Sequence, residues 1–334
     1  MDEALKQNEA GRASEREWNY HPDFPIDNNP LFSWPPRISD TLTYYRDSWL
    51  TLSEGTIFTA LAIIVLYFAH PSLTTTATLD WTWIAAVYAR NFITLLVVAG
   101  GLHVYFYTLR SQETELKYVK PFLSRGGSRF NFQNQLHDNA FWSLGSGVLI
   151  WTGFEVLCLW AMGNGHIRAI SFAEMPVWSV LALPAIFMWV SFHFYCVHRL
   201  LHTKLLYDWV HVLHHRNINV GPWSGLSMHP VEHLFYFSSL LIHFVVPTHP
   251  MHILFHFYTL SLSAVFGHTG FDALLVKNRR RLAIGHFHHQ LHHRYFECNY
   301  GSVDMPWDVF FGTFHDGTQE ARKRMMKRIR KGQR

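Results

Sequence analysis

Long apolar runs alternate along this chain with polar segments that carry histidine. Thr56–Ala69 (TIFTALAIIVLYFA) is uncharged but short. Lengthened by Leu52 and by His70-Pro71, it reaches the roughly 20 residues that a membrane crossing needs. Trp81–Leu109 is longer, and Arg90-Asn91 interrupts it. The predicted span is therefore Phe92–Leu109, with the preceding half at the interface and Trp81 and Trp83 among the headgroups. Ala140–Met162 is a third run, and it contains Glu155. A carboxylate at that depth must face protein or water, and a buried hydrogen-bond partner is its simplest role. Pro176–Val197 is a fourth. Leu234–Phe266 is apolar but holds Pro247 and Pro250. A helix does not pass cleanly through both, so two helices or a shallow hairpin are expected, with His243, His249, His252 and His256 around the bend.

The polar segments complete the outline. Residues 1–50 read as a cytosolic arm: Pro22, Pro25, Pro30, Pro35 and Pro36 break any long helix, and Trp18, Tyr20, Phe24, Phe32 and Trp34 offer aromatic contacts to the main body or the interface. Ser111–His137 is polar and basic, a loop between spans. With Lys277–Arg281 and the tail Arg322–Arg334 it is expected on the cytosolic side, where Lys and Arg accumulate. Two crossings separate the arm from that loop, and two more return the chain before the histidines, so both termini and the histidines are expected in the cytoplasm. The start of the chain shows no basic stretch leading into an apolar one, so no cleavable signal peptide is expected.

Composition agrees. Hydrophobic residues make up 49% and charged residues 16%, against about 25% charged in an ordinary soluble domain. A mean hydropathy of +0.01 requires a sizeable polar part outside the bilayer. The net charge of +4 is concentrated in short basic runs that flank apolar segments. That pattern suits an anionic membrane surface and not a nucleic acid, which would want basic residues across a folded face. The cysteines Cys158, Cys196 and Cys298 form no CxxC and do not pair evenly, which fits a reducing compartment and excludes a cysteine-ligated metal or cluster.

Between Phe192 and Arg294 lie 18 of the 24 histidines. His198 and His202, His211 with His214 and His215, and His289 with His292 and His293 stand three or four residues apart. So do His229 and His233. That spacing puts side chains on one helix face, and neutral imidazole is the commonest protein ligand for iron, zinc and copper. Eight histidines in three boxes exceed what a single zinc site uses and suit two metals. His193, His243, His249, His252 and His256 read instead as hydrogen-bonded core residues. His229, followed by Pro230, could start a helix and act from outside the ligand set.

The boxes HRLLH (198–202), HVLHH (211–215) and HQLHH (289–293) resemble those of the fatty acid hydroxylase/sterol desaturase superfamily of membrane di-iron oxygenases. His229-Pro-Val-Glu232, Gly267-His268-Thr-Gly270, Asn299-Tyr-Gly301, Trp307-Asp308 and Phe311-Gly312-Thr313 resemble it too, over about Met188 to Asp316. The resemblance implies that His198, His202, His211, His214, His215, His289, His292 and His293 are metal ligands, with His268 at the place of a further one. Asp272 stands where some relatives have another histidine, and His229, His233 and Asp272 are possible additional or supporting residues. It also implies an all-α fold: an integral membrane helical bundle of about four transmembrane helices plus the bent segment, under a cytosolic histidine-rich helical cap. The expected organisation is an arm (1–50), a transmembrane region (51–187), a catalytic domain (188–316) and a basic tail (317–334).

Such a chain is expected to use two Fe ions, with zinc as a possible substitute, and O2 to hydroxylate or desaturate a membrane lipid. The sequence shows no Gly-rich dinucleotide fingerprint and no cysteine cluster, so electrons are expected from a separate ferredoxin, cytochrome or reductase. The rival enzyme class is a zinc-dependent membrane hydrolase, which wants a glutamate placed as in H-E-x-x-H; no such box is present. The non-enzyme rival is a histidine-rich metal transporter, which would place its histidines within the spans.

Overall fold

The computed structural model describes residues 18–332 except 28, 33, 34, 36, 303 and 304. The first 17 residues of the expected arm, with Trp34 and Pro36, and the last two residues of the basic tail lie outside the described residues.

Four apolar segments are long enough to cross a bilayer: Ile38–Phe68, Trp81–Thr108, Gln135–Gly163 and Pro176–Leu201. The first is built from two helices, α1 (Ile38–Trp49) and α2 (Glu54–Phe68). Ser53 separates them. Its hydroxyl accepts from the Thr56 amide while the Thr56 hydroxyl accepts from the Ser53 amide, a reciprocal cap that starts a new helix. With 15 residues, α2 rises about 22 Å, short of a hydrocarbon core of about 30 Å. α1, which carries Asp40, Arg46 and Asp47, precedes it inside the stretch that reads as an arm.

The second span corrects the sequence reading. A single helix, α3, runs from Trp81 to His103 straight through Arg90-Asn91 and continues as a π-helical turn to Thr108. The reason lies on the neighbouring helix. α4 (Gln135–Trp142) passes through a π-helical turn into α5 (Val148–Gly163), which carries Glu155. Arg90 is ion-paired to Glu155, and Asn91 Nδ2 donates to Glu155 Oε2 at 2.9 Å and to Thr152 Oγ1 at 3.2 Å. The charge that seemed to break the span is neutralised inside the protein. Glu155 is the buried hydrogen-bond partner its sequence position suggested.

The fourth span, α6 (Pro176–Leu201), begins with proline in its first turn and ends on the first histidine box. The bent segment becomes α8 (Pro230–Phe237), a 3-10 stretch over Ser238–Phe244, and α9 (Pro250–Gly267). The second box lies between them and α6, on a π-helical turn (Tyr207–His211) followed by the short α7 (Val212–His215). Almost every residue of α9 is buried, as expected of a helix apolar on all sides. It packs against α2, α3, α5 and α6. The turn at Pro222–Leu226 crosses it at Gly225, where a Cβ would stand 2.2 Å from the Ala264 carbonyl oxygen; no other residue fits that approach.

One element departs from an all-helical fold. β1 (Ala273–Val276) pairs antiparallel with β2 (Arg279–Ala283). Lys277 and Asn278 join them with φ of +52° and +57°, the two-residue turn whose twist matches a hairpin. The basic run Lys277–Arg281 is thus a turn and a strand. After it come α10 (Phe287–Tyr295), bearing the third box, and the basic α11 (Gln319–Arg330). The arm is tied to this side: Trp18, Tyr20 and Phe24 pack with Tyr118, Phe287 and Leu291.

The Arg90–Glu155 pair makes a stability prediction. Arg90→Leu or Glu155→Leu alone should cost roughly 3–5 kcal/mol, because each leaves an uncompensated buried charge, and the double substitution should recover most of that loss. Thermal unfolding of the three variants in one detergent measures it.

Candidate metal centre

The three boxes and His268 come together as two groups. His198, His202, His211, His215 and His292 form one, and His214, His268, His289 and His293 form the other; within each group the nearest ring nitrogens all lie within 4.8 Å of one another. All nine residues are buried. Neighbours in sequence are divided between the groups: His214 from His215 and His292 from His293. Successive residues on a helix point about 100° apart, while residues four apart share a face. So His211 and His215 face one group, His289 and His293 the other. The π-helical turn over Tyr207–His211 adjusts the phase at which His211 enters, a device common at functional sites.

Most rings are fixed from behind. His198 Nδ1 donates to the Tyr300 carbonyl at 2.7 Å, His292 Nδ1 to the Cys298 carbonyl at 2.6 Å, and His268 Nδ1 to the Ala264 carbonyl at 2.7 Å. His214 Nδ1 reaches the Ser227 carbonyl at 3.3 Å, and His211 Nδ1 meets Glu232 Oε1 at 2.8 Å. The segment that presents the Tyr300 carbonyl is itself locked. Asp308 accepts from the amides of Tyr300 (2.8 Å) and Gly301 (2.7 Å) and from the Thr313 hydroxyl (2.6 Å). Asn299 Nδ2 holds the carbonyls of His288 and His315, each at 3.0 Å. These contacts give Asn299, Tyr300, Gly301, Asp308 and Thr313 a physical task.

A ring whose Nδ1 donates to a carbonyl and which is neutral has a bare lone pair at Nε2. Burial, reinforced by neighbouring imidazoles, holds His202, His211, His215, His268, His289, His292 and His293 well below the ordinary histidine value, and burial holds His214 at about 4. The rings are therefore neutral. Yet the Nε2 atoms converge: His198 on His211, His202 on His215 and His215 on His292, each at 3.1 Å. In the other group His268, His289 and His293 form a triangle of 3.0, 3.1 and 3.1 Å. Because His268 Nδ1 donates to a carbonyl, its Nε2 is bare, and no assignment of protons then satisfies all three sides of that triangle. A cation between them does. The donor set fits a metal in each group.

The other histidines contrast with these. Thr248 Oγ1 donates to the Val246 carbonyl, so it accepts from His243 Nδ1 at 3.0 Å; His243 Nε2 then accepts from His256 Nδ1 at 3.0 Å, and His256 Nε2 from Ser239 Oγ at 2.9 Å. One direction of donation satisfies every member. His252 Nε2 donates to the Ser179 carbonyl at 2.9 Å, and His249 caps α9. The three residues considered as additions lie outside both groups. His229 caps α8, and His233 Nε2 lies 3.1 Å from the Leu226 carbonyl. Asp272 pairs with Arg280 at 2.8 Å. Sequence reasoning missed the supporting carbonyls of Ser227, Cys298 and Tyr300, which leave no side-chain trace. Glu232 and Asp308 were visible as motif residues without a role.

A cavity of about 90 Å³ borders both groups, with His198, His211, His214, His268 and His289 in its wall. Phe194, Leu201 and Met228 give it an apolar part, and Glu232, Thr259, Ser263 and Tyr236 also line it.

Residues 183–313 match the family model described as fatty acid hydroxylase, in line with the resemblance of the histidine boxes to the fatty acid hydroxylase/sterol desaturase superfamily. Among similar proteins, a Delta(7)-sterol 5(6)-desaturase of Gibberella zeae is 34% identical over 155 residues, 45% of this chain and 47% of its own. The Delta(7)-sterol-C5(6)-desaturase of Nicotiana tabacum is 29% identical over 140 residues, covering 41% of this chain and 50% of its own. Methylsterol monooxygenase 1 of Rattus norvegicus is 31% identical over 134 residues, 39% and 46% of the two chains. The chain thus spans about half the length of the curated relatives it matches. No solved structure matches it.

The satisfied histidine relay supplies a control. His256→Leu should cost about 1–3 kcal/mol by stranding His243 and Ser239, while metal content, measured by elemental analysis of the purified protein, stays that of the unsubstituted chain.

Proposed function

We propose that this chain is a membrane-bound di-iron oxygenase that hydroxylates or desaturates a lipid. The observation that carries the reading is the convergence of nine buried imidazoles on two foci, eight of them at Nε2–Nε2 spacings of 3.0–3.1 Å. His198, His202, His211, His215 and His292 would hold one iron, and His214, His268, His289 and His293 the other. Bound there, the metals supply activation of O2 and the oxidising power to attack an unactivated C–H bond, which no side-chain acid or base provides.

The chain's own groups do the rest. The neutral rings present lone pairs, and the carbonyls of Ser227, Ala264, Cys298 and Tyr300 hold their orientation. Glu232 holds His211. The apolar wall of the adjoining cavity excludes water and seats the lipid's hydrocarbon beside both groups. The relatives named for sterols make a sterol-type lipid the first substrate to try. Electrons come from a separate donor, and the histidines and both termini face the cytoplasm. A zinc hydrolase is disfavoured by the absence of a glutamate general base in the boxes.

Two sets of variants test this. His214→Ala and His292→Ala, one from each group, should each abolish oxidised product and lower iron content without impairing membrane insertion. Product is read by mass spectrometry of extracted lipid as gain of one oxygen or loss of two hydrogens. Iron-loaded, reduced protein that leaves sterol and acyl lipids unaltered under O2 would refute the reading. Glu232→Gln should weaken metal affinity about 10–100-fold, the usual effect of removing a carboxylate behind a liganding histidine, as measured by competition with a chelator.

A further inference from the structure

The cavity beside the histidines is small for a lipid. At about 90 Å³ it holds roughly six to nine water-sized spheres. A second chamber of about 710 Å³ lies next to it. Two residues, Phe187 on α6 and His286 ahead of α10, line both. Glu54 at the start of α2 also lines the larger chamber, its Oε1 3.3 Å from His286 Nε2. The larger chamber has an apolar part, with Trp49, Leu52, Pro184, Met188 and Leu282, and a polar rim that includes Tyr44, Arg280 and Arg281. Its outer wall is α1, whose Ile38 and Leu42 are exposed, as on a helix that rests in a membrane surface.

We propose that this outer chamber is the lipid-receiving site. The body of the lipid lies there, between α1, α6 and the hairpin, and only the portion to be oxidised passes between Phe187 and His286 into the inner cavity. The passage is the route by which lipid reaches the histidines. This rests on the lipid-oxygenase reading above, and it concerns parts of the chain that the histidine boxes do not touch. It makes Phe187 and Ala283, the latter exposed in the chamber wall, determinants of which lipids gain access.

Photolabelling separates this proposal from the reading it rests on, because labelling needs no turnover. Full-length protein, metal-free and iron-loaded, is irradiated with a diazirine-bearing sterol and with a diazirine-bearing fatty acid, and labelled peptides are mapped by mass spectrometry. At least one probe should label both the outer stretch 44–54 and the inner stretch 228–236. Phe187→Trp should leave outer labelling unchanged and cut inner labelling about tenfold or more, the discrimination a pocket achieves with a few added carbons. Ala283→Trp, which fills the chamber from its exposed wall, should reduce both. Inner labelling that survives both substitutions, or no outer labelling by either probe, overturns the proposal. Labelling that follows the expected pattern while iron-loaded protein oxidises neither probe leaves the chamber standing and counts against the oxygenase.

Discussion

Lone pairs do not tolerate one another at 3 Å. In the histidine groups buried imidazoles aim their Nε2 atoms at shared points, those of His198, His214, His268 and His292 bare because Nδ1 faces a carbonyl. Backbone carbonyls hold the far side of the rings, Asp308 and Asn299 hold the segment that offers the Tyr300 carbonyl, and the π-helical turn sets the entry of His211. A cation at the focus of the His268, His289 and His293 triangle would satisfy all three nitrogens, which no placement of protons does. The His243–His256 relay shows the alternative outcome for buried histidines. There every donor meets an acceptor, and nothing is left for an ion to do.

The helices supply the frame against which that repulsion is held. α9 runs buried among α2, α3, α5 and α6 and ends at His268, so the isolated histidine is delivered by the most enclosed element of the fold. α6 ends in the first box, which places the groups just beyond the end of a span. Arg90 and Glu155, on two neighbouring spans, are paired with each other. Hydrocarbon offers no water to solvate a charge, so a membrane helix carries one only where another helix answers it.

Much of this was legible in the residues. Uniform apolar runs without internal charge, such as Pro176–Val197, read correctly because length and hydropathy suffice there. The Trp81 span read too short because a lone arginine resembles a break until its partner, 65 positions away, is known. The hairpin was hidden inside a basic run, since Lys277 and Asn278 give little sign of a tight turn and the strand pairs only with its own neighbour. α1 was obscured by the prolines before it.

The chain by itself determined which side chains can hold a metal and on which helical faces they stand, because spacing of three and four residues is a local property of the backbone. It also determined that apolar segments must leave water. The tertiary structure alone decided that His214 and His215 lie in different groups, that His268 joins His214, and that His229, His233 and Asp272 join neither group. Those outcomes depend on the angle and depth at which separate helices meet. Packing between elements sets both, and no single segment encodes them.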